Sequence, residues 1–230
     1  MISSWLCPAY AGGSPREELL IAFDRARSAR VLVLPAWFDE ANKLRRFTLE
    51  VMRRLDRAGI DSFLPDLPGC NESLAPLAEQ SLDGWRRAAE AAADACKASH
   101  VLTIRAGCLI APPALPGWHY AALSGPKLLR AMLRARSLAA REAGIFETSE
   151  ELLEIGRGQG LVLGGWSIGA PMLRALETAE PAPGPAQRPV TQAMLGAGGG
   201  LWLRAEPDED AAQADALAAL IAQDLAGGAA

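Results

Sequence analysis

The feature that most constrains this chain is the alternation, between residues 30 and 104, of short apolar runs with longer amphipathic stretches. Arg30-Val-Leu-Val-Leu-Pro35 is an apolar run bounded by turn-type residues and reads as a buried strand. Over residues 41–58, Leu44, Phe47, Leu49, Val51, Met52 and Leu55 recur with charges between them, which predicts a helix ending at Gly59. Residues 60–65 give the next strand, 82–99 an alanine-rich helix carrying Trp85, and 100–104 a third strand. Such strand–helix repeats imply right-handed crossovers and a mostly parallel sheet with helices on both faces, an α/β class. Residues 19–23 add an antiparallel strand at the edge.

A chain of 230 residues suits one such domain, and its 50% hydrophobic and 22% charged composition is that of a folded globular protein. The net charge of −4 argues against a nucleic-acid partner. No run approaches the roughly 18 apolar residues of a membrane span. The opening Met1-Ile-Ser-Ser-Trp-Leu-Cys-Pro8 lacks the basic and apolar regions of a secretory signal, so a cytoplasmic protein is expected. Cys7, Cys70, Cys96 and Cys108 are scattered without a C-x-x-C pair. Reduced thiols follow, with no metal site, disulfide framework or cofactor expected.

The second half is less regular. Helices are predicted over 124–144, 148–155, 170–179 and 208–225, and strands over 160–165 and 200–204. The proline-rich segment 181–189 reads as a surface loop, and 112–158 as a small helical cap. Within it, Lys127, Arg130, Arg134 and Arg141 follow three- and four-residue steps and share one helix face. That stripe suits either a solvated cap helix or contact with an anionic membrane surface, although the stretch has no aromatic anchor.

Two places bear on catalysis. Phe63-Leu-Pro-Asp66-Leu-Pro-Gly69-Cys-Asn-Glu-Ser73 is followed, at the spacing of an α/β-hydrolase, by the strand that should end in Gly-x-Ser-x-Gly. The frame there is Thr103-Ile-Arg105-Ala-Gly107, with arginine in the nucleophile's place. A literal Gly165-Trp-Ser167-Ile-Gly169 occurs later, between an apolar strand and a helix, which makes Ser167 the candidate catalytic residue. A serine needs a histidine base, and the hydrolase order is Ser, acid, His. Both histidines, His100 and His119, precede Ser167. Cys108 is a further possible nucleophile, weighed against a buried packing role.

Pro35-x-x-x-x-Glu40-x-Asn42-Lys43-x-Arg45-Arg46, Asp66-Leu-Pro-Gly-Cys-x-x-Ser73 and Arg105-Ala-Gly107 together resemble the exosortase A system-associated hydrolases, type 2. These are α/β-hydrolase-like proteins encoded with exopolysaccharide and PEP-CTERM sorting systems. Ser124-Gly-Pro-Lys127, Gly165-Trp-x-Ile-Gly-Ala-Pro171 and Gly200-Leu-Trp202-Leu are similar to later segments of that family. The resemblance runs over most of residues 30–225. It implies an α/β-hydrolase-like fold and no substrate, while the residues themselves, with arginine at 105 and no histidine after His119, point to a degenerate Ser-His-Asp triad.

Arg105 then has two uses. With Glu40, Asn42, Lys43, Arg45 and Arg46 from the neighbouring strand end, it can line a pocket for a small anionic or acyl-type ligand over a helix N-terminus. Alternatively it pairs with Glu40 and props the site. The functions that follow are an accessory or ligand-binding protein, an active ester, thioester or amide hydrolase using Ser167 or another nucleophile, or a membrane-surface protein using Lys127, Arg130 and Arg134.

Overall fold

The computed structural model describes residues 1–8, 14–196 and 198–227. Each strand forms where a short apolar run meets turn residues. Val31 to Leu34 are fully buried on β3 (Arg30–Leu34) because both sheet faces are covered, so the run does not alternate. The helix α1 (Asp39–Arg57) buries Leu44, Phe47, Val51, Met52 and Leu55 along one stripe. β4 (Asp61–Pro65), α2 (Leu82–Ala95, capped by the Ser81 hydroxyl) and β5 (His100–Ile104) complete the predicted alternation.

The main sheet has seven strands. β1 (Ile2–Cys7) and β2 (Arg16–Phe23) precede the alternation, and β6 (Gly117–Tyr120) and β9 (Gln187–Val190) follow it. The order is β1-β2-β4-β3-β5-β6-β9. β2 runs against both neighbours, and the other pairings are parallel. The predicted strand at 19–23 is therefore antiparallel, but β1 takes the edge outside it.

Between β6 and β9 the chain leaves the sheet. It forms α3 (Gly125–Glu142), α4 (Ser149–Gln159, opened by a Thr148–Glu151 capping box) and a separate hairpin of β7 (Leu161–Leu163) and β8 (Trp166–Ile168). α5 (Ala170–Leu176) follows. The segment expected as a cap from residue 112 thus contains a strand of the main sheet, and the helical excursion starts at Gly125.

Two further expectations change. The proline-rich 181–189 contributes to β9, an edge strand where Pro189 needs no donor on its open side. Gly200–Arg204, expected as the last strand, is a 3₁₀ turn (Leu201–Leu203), and the chain ends in α6 (Ala211–Gly227). One core joins α1 and α6 to the sheet, and the other joins α2 and the α3–α5 excursion to its opposite face.

Candidate functional site at the switch point of the sheet

β3 connects through α1 to β4 on one side, whereas β5 leads on to β6 on the other. Connections departing in opposite directions make the C-terminal ends of β3 and β5 the topological switch point, the place where open α/β sheets bind ligands. Three residues with side chains take left-handed backbone there. They are Phe38 after β3 (φ 55°), Arg105 after β5 (φ 54°) and Ala121 after β6 (φ 49°). A non-glycine residue in that region costs about 1–3 kcal/mol and persists only where its surroundings impose it.

Arg105 stands at the apex of a sharp strand-to-helix turn, between β5 and a 3₁₀ helix over Arg105–Ile110. Gly107 lets this helix pass beneath β3: a Cβ there would lie 2.4 Å from the Leu34 carbonyl oxygen and 2.7 Å from that of Pro35. The turn therefore has the shape of a nucleophile elbow with arginine at its apex.

The guanidinium is occupied on every side. Its Nε and Nη2 donate to Glu40 Oε2 (2.9 Å) and Oε1 (2.8 Å), a bidentate pair. Nη1 donates to the Ala121 carbonyl at 3.0 Å. Trp202 lies 4.2 Å from the guanidinium carbon, over its face. Trp202 in turn packs edge-on against Tyr120, whose hydroxyl donates to Gln192 and whose phenol burial raises well above its ordinary pKa. Only 11% of the Arg105 side chain and 18% of that of Glu40 is exposed, so this is a largely buried ion pair.

The other basic residues of the motif do not gather at Arg105. Lys43 pairs with Asp39 at 2.8 Å, a one-turn helix pair. Arg46 reaches Glu209 at 2.7 Å, and Arg45 reaches the buried Asp66 at 3.4 Å, while Asn42 is exposed. Asp66 also accepts from Asn71 Nδ2 (2.8 Å) and the Glu72 amide (3.2 Å), which makes it the organiser of the turn after β4. Of the two uses open to Arg105, the pair with Glu40 is the one formed.

Ser167 is exposed in the middle of β8, directly across from Val162. The positive φ values nearby belong to Gly164 (57°) and Gly165 (86°), which form the two-residue turn of the hairpin. The literal Gly-x-Ser-x-Gly is thus a hairpin's return strand, and Ser167 is not at the apex of a turn out of the main sheet. Sequence spacing could not reveal this, because the same letters serve both.

Both histidines lie in strands of the main sheet and have ring partners there. His119 lies beside Thr103 in the β5–β6 register, with Nδ1 2.7 Å from the Thr103 hydroxyl and Nε2 2.8 Å from Gln187 Oε1. Gln187 Nε2 donates to the Pro112 and Leu115 carbonyls, so Oε1 faces the ring as an acceptor. His119 therefore donates from Nε2 and accepts at Nδ1 as a neutral ring, consistent with burial holding its pKa below the usual value. His100 stacks on Trp118, and its Nδ1 contacts the Ser99 hydroxyl. Cys108 is buried, with Sγ 3.5 Å from the Leu123 carbonyl, and burial pushes its thiol up to about 11, which keeps it protonated at neutral pH. No cluster of three or more His, Cys, Asp or Glu side chains suited to a metal ion occurs among the described residues.

No family model matches the chain, and no curated protein matches it. Among solved structures, it is similar to alpha/beta hydrolase domain-containing protein 10 from mouse over 100% of both chains, with a TM-score of 0.56 and 13% identity. It is also similar to Est1E from Butyrivibrio proteoclasticus over 97% of this chain and 98% of that one, with a TM-score of 0.53 and 9% identity. A protein from Agrobacterium vitis S4 matches over 61% of this chain and 60% of its own, with a TM-score of 0.46 and 15% identity. The two full-length matches establish the fold as that of an α/β-hydrolase. No described helix is long and apolar enough to cross a membrane.

Proposed function

We propose that this protein is a non-hydrolytic member of the α/β-hydrolase fold, an accessory or ligand-holding protein of the exosortase and exopolysaccharide type. The observation that carries the reading is the elbow itself. Its strained apex is kept at Arg105, and that side chain is held by Glu40, Ala121 and Trp202. Acyl transfer at this position needs a hydroxyl or thiol with a base in reach. Arginine supplies neither, and it is held as the cation of an ion pair. The link to exopolysaccharide loci rests on the sequence resemblance over residues 30–225.

A small anionic or acyl-type ligand binding at this switch point has to compete with the Glu40 carboxylate for the same guanidinium edge. Glu40→Gln is therefore expected to bind acetyl phosphate more tightly than the parent protein, read by a shift in Tm. An unchanged response would remove the anionic ligand from the proposal. The non-hydrolytic reading is tested by a fluorophosphonate probe, which should leave the protein unlabelled. Labelling that disappears in Ser167→Ala would replace it with a hydrolase working from the β7–β8 hairpin.

A further inference from the structure

We propose that the outer face of α3 and the turn that follows it dock on an anionic lipid surface. α3 buries Leu128, Leu129 and Leu133 against the protein, so its opposite side looks outward. Lys127, Arg130, Arg134 and Arg141 lie along that side and are all exposed. None of the four side chains has a hydrogen-bond or ion-pair partner among the described residues, whereas Arg136, on the inward side of the same helix, pairs with Glu147 at 2.6 Å. These four side chains concentrate positive charge on one face of a chain whose net charge is −4.

An apolar tip adjoins this row. Gly144 (φ 77°) turns the chain after α3 and brings Ile145 and Phe146 back beside the helix. Phe146 is 85% exposed, and Leu138 and Ile145 are 60% and 55% exposed. One shallow depression of about 500 Å³ is lined by Arg134, Leu138, Arg141, Ile145 and Phe146. A second, of about 430 Å³, continues it along Lys127, Arg130, Arg134 and Leu138. Cations and apolar side chains thus form a continuous surface. The aromatic anchor absent from the helix itself is supplied by the turn.

This combination fits a bilayer interface. Lysine and arginine near an anionic leaflet gain roughly 1 kcal/mol each, and an exposed phenylalanine gains by entering the acyl boundary. A second copy of the chain suits the face poorly, because a two-fold contact would set the same cations against each other. A soluble acidic polymer would leave Leu138, Ile145 and Phe146 in water. The acidic residues beside the row are Glu142, which is exposed, and Glu147, which lines the first depression and is paired with Arg136. The proposal is independent of the chemistry at the elbow.

Co-sedimentation of the full chain with vesicles provides the test. Binding is expected to phosphatidylserine-containing vesicles and not to pure phosphatidylcholine, and it should weaken as salt rises. The double variant R130Q/R134Q is expected to lose about 25-fold in affinity, roughly fivefold per cation. Phe146→Ala should weaken binding at constant charge. All three substitutions are on exposed side chains, and unchanged circular dichroism would show that the fold is intact. Equal binding to neutral vesicles, no vesicle binding, or insensitivity to these substitutions would overturn the proposal. Polyglutamate binding as tight as vesicle binding would overturn it in favour of an acidic polymer.

Discussion

The β5–Arg105 turn and the β7–β8 hairpin are mirror cases. The first has the backbone of a nucleophile elbow with φ 54° at its apex, a close helix approach over Gly107 and no serine. The second has the letters Gly-x-Ser-x-Gly with its left-handed backbone at Gly164 and Gly165, on a hairpin outside the main sheet. The elbow is a property of where a strand ends relative to its neighbours, not of five letters. Where the shape persists without the serine, the space has been filled by a bidentate ion pair and an indole.

The largest effect that would sharpen this contrast is at Glu40. Removing one partner of a buried pair leaves a charge without compensation, so Glu40→Ala is expected to cost about 3 kcal/mol by chemical denaturation. Arg105→Met combined with Glu40→Leu should recover most of that loss, because neither charge is then left buried. A loss below about 1 kcal/mol for Glu40→Ala would place the pair among solvent-screened surface pairs and break the comparison.

Next come the glycines. Gly107→Ala drives a methyl into the Leu34 and Pro35 carbonyls and is expected to cost about 1–3 kcal/mol, lowering Tm. Gly165→Ala meets no neighbouring atom and carries only left-handed backbone strain, about 1 kcal/mol. Equal losses at the two sites would mean that the elbow's tight packing is not what distinguishes them.

The pH response of the His119 network is smaller. Its pKa is lowered in the folded state, so the unfolded chain takes up a proton first as pH falls below about 6.5. Stability from the neutral ring is complete above that pH and is lost as pH falls towards the folded-state value. Denaturation midpoints at pH 7 and pH 5 should therefore differ less in His119→Gln than in the parent. Burial lowers the His100 pKa in the same direction, so the variant should retain part of the slope. The smallest effect belongs to Ser167→Ala, which is exposed and should stay within about 0.5 kcal/mol of the parent.

The elements between residues 30 and 104 were legible because each is long or apolar enough to declare its period. Val31–Leu34 has no alternation to confuse, and α1 repeats its apolar stripe for five turns. β6 and β9 were not legible. Gly-Trp-His-Tyr is four residues with no run, and Gln-Arg-Pro-Val contains a proline that a sheet accepts only at its edge. Both become strands because β5 offers β6, and β6 then offers β9, a parallel partner. At the site, the loss of the serine and the lack of a late histidine were visible in the sequence. Trp202, Tyr120 and Ala121 around Arg105 were not, since they come from the end of another strand and from a distant 3₁₀ turn and share no periodicity with it.

Composition and periodicity by themselves determined an α/β chain with a mostly parallel sheet, and position 105 declared that serine chemistry is missing there. Tertiary structure decided what the arginine does. Lys43, Arg45 and Arg46 sit within a few residues of Glu40, yet helical geometry sends each to a different acid. The fold brings Glu40 itself, in the first turn of α1 after β3, onto the guanidinium at the end of β5. A charge's partner is set by which strand ends lie side by side, and strand order is a property of the assembled sheet.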